Sequence, residues 1–206
     1  MNLGLISSYV VGGMVLLGIL AMTMNLNSSS SELTISQMKK EHLNTVSELF
    51  SNDIPKIGYN RTSLTDTLIF KADSTELVFD SNIDNSTDGK VERISWSLTN
   101  TSVNTSPNPN DFILLRKIRE KGNTLEKKTP IPFGVTYLRF RYYDEYGSDN
   151  PLPTPVSAAK IGDIKQIEVE IVIQSPNKIT YPGSNEGRYV STSWRKRFSP
   201  VNLREN

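Results

Sequence analysis

Oxygen-bearing side chains at alternate positions are the first feature of this sequence that could perform chemistry. Asp80, Asn82 and Asp84 repeat the first three ligand positions of a calcium-binding loop, and Asp88 follows closely. Calcium prefers such hard oxygen ligands in a flexible turn. The match then fails, because the loop's glycine position is not glycine and Glu92 comes one step too late for its glutamate. The four residues are therefore a candidate calcium loop, and a polar β-turn is the alternative.

Two common catalytic residue types, cysteine and histidine, are scarce in this chain. It has no cysteine and a single histidine, His42, which excludes thiol nucleophiles, disulfides and multi-histidine metal sites. It contains no G-x-S-x-G motif, phosphate loop or G-x-G-x-x-G motif. A two-carboxylate hydrolase leaves no spacing signature and stays open as an alternative. The sequence therefore predicts a protein that is not an enzyme, with His42 packed or in solvent.

Basic residues form two clusters close to aromatic side chains. Arginines beside aromatic rings can bind single-stranded nucleic acid. Both clusters fall on predicted strands, however, where charges ordinarily mark the solvated face or edge. The net charge of +1 provides no field that would attract a polyanion, so bulk charge indicates no partner. We expect neither nucleic acid nor a small-molecule substrate as a partner. The clusters are Arg116, Lys117, Arg119 and Lys121, and Arg195, Lys196 and Arg197 between Trp194 and Phe198.

The elements that position these residues begin with an apolar segment. The first 24 residues carry no charged side chain, and Leu3 to Met24 would form about 33 Å of helix, against about 30 Å of bilayer hydrocarbon. A cleaved secretory signal is the alternative, but no basic residue precedes Leu3 and Ala21-Met22-Thr23 is a poor cleavage site. We therefore expect a retained membrane span.

A second helix is predicted directly after the span. From Glu32 to Asp53 apolar residues recur mostly at steps of three, four or seven, which is typical of an amphipathic helix, and Pro55 would end it. The serines from Ser28 to Ser31 would form either a flexible joint or the N-cap of this helix. The face from Ile35 to Phe50 is expected to be the packing surface. The apolar residues of the pattern are Leu33, Ile35, Met38, Val46, Leu49, Phe50 and Ile54.

From Tyr59 onward the apolar residues follow a period of two, which predicts strands. No comparable helix pattern separates them, so the sheet should be antiparallel. The predicted fold is α+β, with a transmembrane or assembly helix at 1–25, an amphipathic helix at 26–58 and an antiparallel β domain at 59–206 packed on that helix. The predicted strands lie at 67–70, 77–79, 93–98, 112–118, 138–142, 165–174 and 189–198.

Six segments in this order resemble type IV pilin-like proteins, in particular minor pilins and the minor pseudopilins of type II secretion systems. They are the apolar start, the helix end at 47–54, the pair 93–98 and 112–116, the segment 135–144 with Gly147, and the ending 201–206, which is similar to a Leu-Arg-Asn terminus. The resemblance implies a non-enzymatic fibre subunit of a type IV pilus or type II secretion-like system. Its partners would be the membrane and other pilin-like subunits.

The resemblance also implies processing and assembly sites within the apolar segment. A prepilin peptidase would cut after Gly4 and leave Leu5 as the new terminus. Tyr9 would then occupy the fifth position, where the family usually has a glutamate that neutralises a neighbouring subunit's amino terminus. A tip subunit, or a pilin-like protein that has left the fibre, would not need that buried carboxylate. The expected assembly residues are Tyr9, Gly12, Gly13 and Gly18, since small residues let helices approach closely, although glycine is also common in spans generally.

Two indications of orientation disagree. Lys39 and Lys40 lie about 15 residues past the span and weakly favour a cytoplasmic C-terminal domain. The resemblance implies the reverse, a single-pass protein of the inner membrane with an extracytoplasmic C-terminal domain, and we follow the resemblance. A permanently anchored extracytoplasmic ligand-binding or sensory domain is the alternative function.

Overall fold

One uninterrupted helix, α1, spans Leu3–Asp53. The computed structural model describes residues 3–60, 67–83, 91–120, 123–180 and 186–203. At 51 residues, α1 is roughly 77 Å long. The serines from Ser28 to Ser31 lie inside α1 and form neither a joint nor a cap, because serine costs a helix only a fraction of a kcal/mol per residue. The predicted span and the predicted amphipathic helix are therefore parts of one continuous helix.

Helix α1 ends where the sequence predicts, before a proline. A short 3-10 turn, Ile54–Lys56, follows α1 and contains Pro55, which lacks the amide hydrogen that a helix needs. Gly58 then adopts a φ of +70°, and a Cβ there would lie 2.8 Å from the Leu68 side chain. This glycine lets the chain turn tightly beneath the end of the helix.

The rest of the chain forms one antiparallel sheet in which each strand pairs with the next along the chain. The long helix and this antiparallel sheet confirm the predicted α+β class. Each predicted strand has an observed counterpart, so the period-two pattern located them correctly. The strands are β1 (Ile69–Ala72), β2 (Glu76–Ser81), β3 (Glu92–Ser102), β4 (Phe112–Glu120), β5 (Lys127–Tyr143), β6 (Gln166–Ile179) and β7 (Arg188–Phe198).

Strand β5 begins well before the strand that the sequence predicts there. Its first half, from Lys127, pairs with β4, and its second half, from Val135, pairs with β6. Pro130 and Pro132 concealed the first half, since proline cannot donate to a strand ladder. They are accommodated because this half of β5 has no β6 partner in the register.

The apolar face of the sheet packs against the last part of α1. Leu43, Val46 and Phe50 are buried there, and the Phe50 ring lies 4.3 Å from the Trp96 ring, centroid to centroid. The predicted packing face was wrong at Met38, which is 53% exposed, and Leu33 of the apolar pattern is 61% exposed. The residues that meet the sheet form one stripe at steps of three and four, namely Lys39, Leu43, Val46 and Phe50.

Candidate functional site

The apolar half of α1 is exposed along its length. Every residue from Gly4 to Met24 is solvent-accessible, and α1 is the one helix in the described part of the chain that is long and apolar enough to cross a membrane. Tyr9 is 74% exposed. At the glycines predicted for assembly, Gly12, Gly13 and Gly18, an added Cβ would meet no heavy atom within 4 Å. This surface is open to lipid or to another helix.

A buried carboxylate joins the other end of α1 to the sheet. Asp53 is fully buried, and its Oδ2 accepts hydrogen bonds from Nε1 of Trp96 on β3 at 2.9 Å and from Nε of Arg116 on β4 at 2.7 Å. Nη2 of Arg116 donates to Oδ1 at 2.8 Å. Arg116, predicted as part of a basic cluster, therefore directs its charge inside the protein. Of the other members, Lys121 lies outside the described residues.

The sequence held a signal for Asp53 that its apolar pattern did not reveal. An aspartate at the C-terminal end of a helix opposes the helix dipole. An aspartate at such an unfavourable position indicates a compensating cation or hydrogen-bond donor elsewhere in the fold. Its partners are about 43 and 63 residues away along the chain, so no local pattern could identify them.

A polar cluster lies where Lys39 and His42 of α1 contact Phe133 on β5. Lys39 is only 8% exposed, and its Nζ donates to the backbone oxygen of Phe133 at 3.1 Å. Burial lowers the pKa of the Lys39 amine, and the charge of Asp111 partly opposes that shift. His42 stacks on the Phe133 ring with centroids 4.4 Å apart. Burial, and then repulsion by Lys39, lower the pKa of His42, while Glu41 acts in the opposite direction.

The candidate calcium loop is described only in part. Asp80 lies on β2, and both of its carboxylate oxygens accept from Arg93, at 2.9 and 3.2 Å. Asn82 is buried, and its backbone amide donates to Tyr59. Asp84 and Asp88 lie outside the described residues. The described residues contain no group of three or more acidic, histidine or cysteine side chains suited to a metal, and a cation at Asp80 would compete with Arg93. The calcium site stays a prediction.

Charged side chains form rows across the outer face of β5, β6 and β7. Glu168 on β6 is 4% exposed and lies 2.8 Å from Nη1 of Arg141, 3.0 Å from Nη2 of Arg195 and 3.4 Å from Nη2 of Arg197. Burial alone would raise the pKa of the Glu168 carboxyl, but hydrogen bonds from Arg141 and Arg195 outweigh it and hold that pKa below its usual value. Nη2 of Arg141 also lies 2.8 Å from Glu170.

The second predicted basic cluster is therefore divided between the two faces of the sheet. Arg195 and Arg197 point outward to Glu168, whereas the Nζ of Lys196 lies 3.5 Å from Ser51 on α1. The alternation of side chains along a strand produces this separation. The arginines on β5 were not among the predicted site residues, although Arg139 and Arg141 alternate with apolar residues just as Glu168 and Glu170 do on β6.

No family model and no curated protein matches this chain. Two features of the chain's own geometry therefore bear on its function: a long helix with one exposed apolar half, and a sheet fastened to the other half by packing and by Asp53.

Proposed function

We propose that this protein is a non-enzymatic structural subunit, of the minor pilin or pseudopilin kind, of a type IV pilus or type II secretion-like fibre. The first half of α1 would hold it in the membrane before assembly. The observation that carries this proposal is the division of α1 into an exposed apolar half and a half packed on the sheet. An exposed apolar surface of this length needs lipid or other helices around it. A fibre subunit would be surrounded by lipid before assembly and by neighbouring helices within the fibre.

The link between α1 and the sheet supports a structural role. Arg116 and Trp96 hold the last residue of α1, and Phe50 packs one turn earlier. A force applied to the helix would therefore be transmitted to the sheet through buried contacts. The exposed glycines of the apolar half would let neighbouring helices approach closely. The proposed location is the inner membrane, with the sheet on the extracytoplasmic side and other pilin-like subunits as partners.

Two measurements on the native host test this proposal. Intact-mass analysis should find a chain that begins at Leu5 with a methylated amino terminus, and shearing of the cells should release the protein with surface fibres. A chain found only in the membrane fraction, still carrying Met1, would contradict fibre assembly and favour the permanently anchored ligand-binding domain.

A pair of variants tests the helix surface separately from membrane insertion. Gly13→Leu adds bulk where a neighbouring helix would approach, and we expect less protein in sheared fibres at an unchanged membrane level. Val15→Leu is the matched control, since it adds a methylene at a position that already carries a side chain. Equal fibre yields for the two variants would count against assembly through this surface.

A further inference from the structure

We propose that the outer face of β5, β6 and β7 docks an acidic segment of a partner protein, with the Arg139 guanidinium as its anchor. Arg139 and Arg141 line one side of a shallow groove, and the loop from Pro151 to Thr154 lines the other. An extended acidic segment lying along this groove would bring its carboxylates to the arginines. This inference goes beyond fibre assembly and does not depend on it.

The first support is an excess of positive charge on this face. In the strand register Arg139 lies opposite Glu170, which lies opposite Arg195. Two residues along, Arg141 lies opposite Glu168, which lies opposite Arg197. Each row thus has two arginines for one glutamate, and the face carries more cations than its own carboxylates can neutralise.

The second support is the state of the two glutamates. Glu168 is already engaged by three arginines, and Glu170 by Arg141. Arg139 has no ion pair or hydrogen bond within the described part of the chain, and its guanidinium lies 5.8 Å from the centre of the Tyr137 ring. Its side chain is exposed. A guanidinium that has no carboxylate of its own is available for one from a partner.

The third support is a groove wall that is already ordered. The backbone amide of Leu152 donates to Tyr142 at 2.8 Å, and that of Val156 donates to Ala72 at 2.8 Å. Pro151 and Pro153 restrict the loop between these bonds. A preformed wall lowers the entropic cost of binding an extended segment.

The same face is poorly suited to nucleic acid. Binding of single strands uses exposed aromatic rings, but on this face Tyr143 is 2% exposed beneath the Arg197 guanidinium and Tyr137 is half-buried. Trp194 stacks toward Phe50 on the opposite face. Glu168 and Glu170 also interrupt the row of positive charge that a phosphate backbone would follow. Separate carboxylates on a protein segment match the arginines without needing an uninterrupted row.

The test uses the full chain in nanodiscs of phosphatidylcholine, which has no net charge. The probe is a fluorescein-labelled hexaglutamate peptide, and binding is followed by fluorescence anisotropy at low salt. We expect saturable binding that Arg139→Glu weakens by at least about tenfold, since it places like charges together. Lys128→Glu is the matched control, because Lys128 is an exposed residue of the same strand that lies opposite Lys117, away from the groove. It should stay within about twofold of the wild type.

Several results would overturn the proposal. They are a failure of the wild-type protein to bind hexaglutamate, an equal loss in the two variants, and tighter binding of a labelled hexathymidylate than of hexaglutamate. Thermal unfolding of Arg139→Glu guards against a folding artefact, and its midpoint should match that of the wild type because Arg139 holds no ion pair within the described structure. If the midpoint of Arg139→Glu is lowered, the binding comparison uses Arg139→Gln and Lys128→Gln instead. Arg139→Gln should then bind hexaglutamate more weakly than Lys128→Gln does.

Discussion

The Asp53 carboxylate and the Arg116 guanidinium meet in a two-point contact, with Nε 2.7 Å from Oδ2 and Nη2 2.8 Å from Oδ1. The Asp53 side chain is fully buried and that of Arg116 is 14% exposed. Helix α1 supplies the aspartate and β4 supplies the arginine, so this pair joins the two layers of the fold. Each charge is tolerated there because the other compensates it.

Removing the arginine should therefore be more damaging than removing the pair. Arg116→Met leaves a buried carboxylate without its cation, and we expect the free energy of unfolding to fall by about 3–5 kcal/mol. The double variant Asp53→Leu/Arg116→Met should recover part of that loss. Urea unfolding of the full chain in detergent, followed by tryptophan fluorescence, measures both. A single variant as stable as the wild type would show that the pair does not fasten α1 to the sheet.

Two glycines with positive φ should respond differently to alanine. Gly134 has a φ of +83°, and a Cβ there would lie 2.4 Å from the backbone oxygen of Gln174 and 2.9 Å from Nζ of Lys39. Gly147 has a φ of +74° with no atom within 4 Å of that position. Gly147→Ala should therefore cost only the backbone strain, about 1–2 kcal/mol, whereas Gly134→Ala should cost more because β5 and β6 must separate. Equal losses in thermal unfolding would contradict the close approach at Gly134.

The ion pairs of Glu168 should make stability sensitive to acid. The pKa of this carboxyl is lowered from 4.5 in the folded protein, so the folded state binds its proton less readily than the unfolded chain does. The stabilisation is fully present above about pH 4.5 and is lost as the pH falls through the folded pKa. Glu168→Gln should flatten this part of the stability curve, and the exposed Glu145→Gln should not. Parallel acid profiles for Glu168→Gln and the wild type would refute the expectation.

His42 should produce a second pH dependence, at higher pH. Its pKa is lowered from 6.5 in the folded protein, so the unfolded chain takes up a proton first. Stability should fall as the pH decreases from about 6.5 through the folded pKa. His42→Phe keeps an aromatic ring against Phe133 and removes the titration. The wild type should lose stability relative to this variant between about pH 7 and 5, as measured by urea unfolding. A difference that stays constant with pH would count against a half-buried imidazole that is neutral in the folded protein.

The sequence predicted the elements of this fold better than it predicted the contacts between them. Alternation located β6 and β7, since one face of β6 is buried, and β7 presents the half-buried Trp194 and the buried Phe198 to the same side. It missed the first half of β5, because Pro130 and Pro132 argue against a strand unless it lies at an edge or contains a bulge. Leu33 and Met38 fit a helical period but lie off the stripe that meets the sheet.

The candidate sites were less predictable than the strands for a physical reason. Whether Arg116 faces a carboxylate or solvent depends on how the end of α1 meets β4, and Asp53 is distant from it in the chain. Arg139 and Arg141 are adjacent on one face of β5, yet only Arg141 reaches the glutamates of β6. Such differences arise from strand register and side-chain reach, which a single sequence does not specify.

Because α1 continues without a break through Ser28 to Ser31, it fixes the distance between the apolar run and the sheet. Glu32 on α1 already forms an ion pair with Arg188 on β7, with Oε1 2.7 Å from Nη2, and it lies roughly eight residues beyond Met24, a rise of about 12 Å. With the apolar run in a bilayer, this distance would exceed the headgroup layer, which adds roughly 5–8 Å on each side of the hydrocarbon. The described part of the sheet would therefore stand outside the lipid, and a tilt of the membrane-spanning part of α1 would move the β domain sideways.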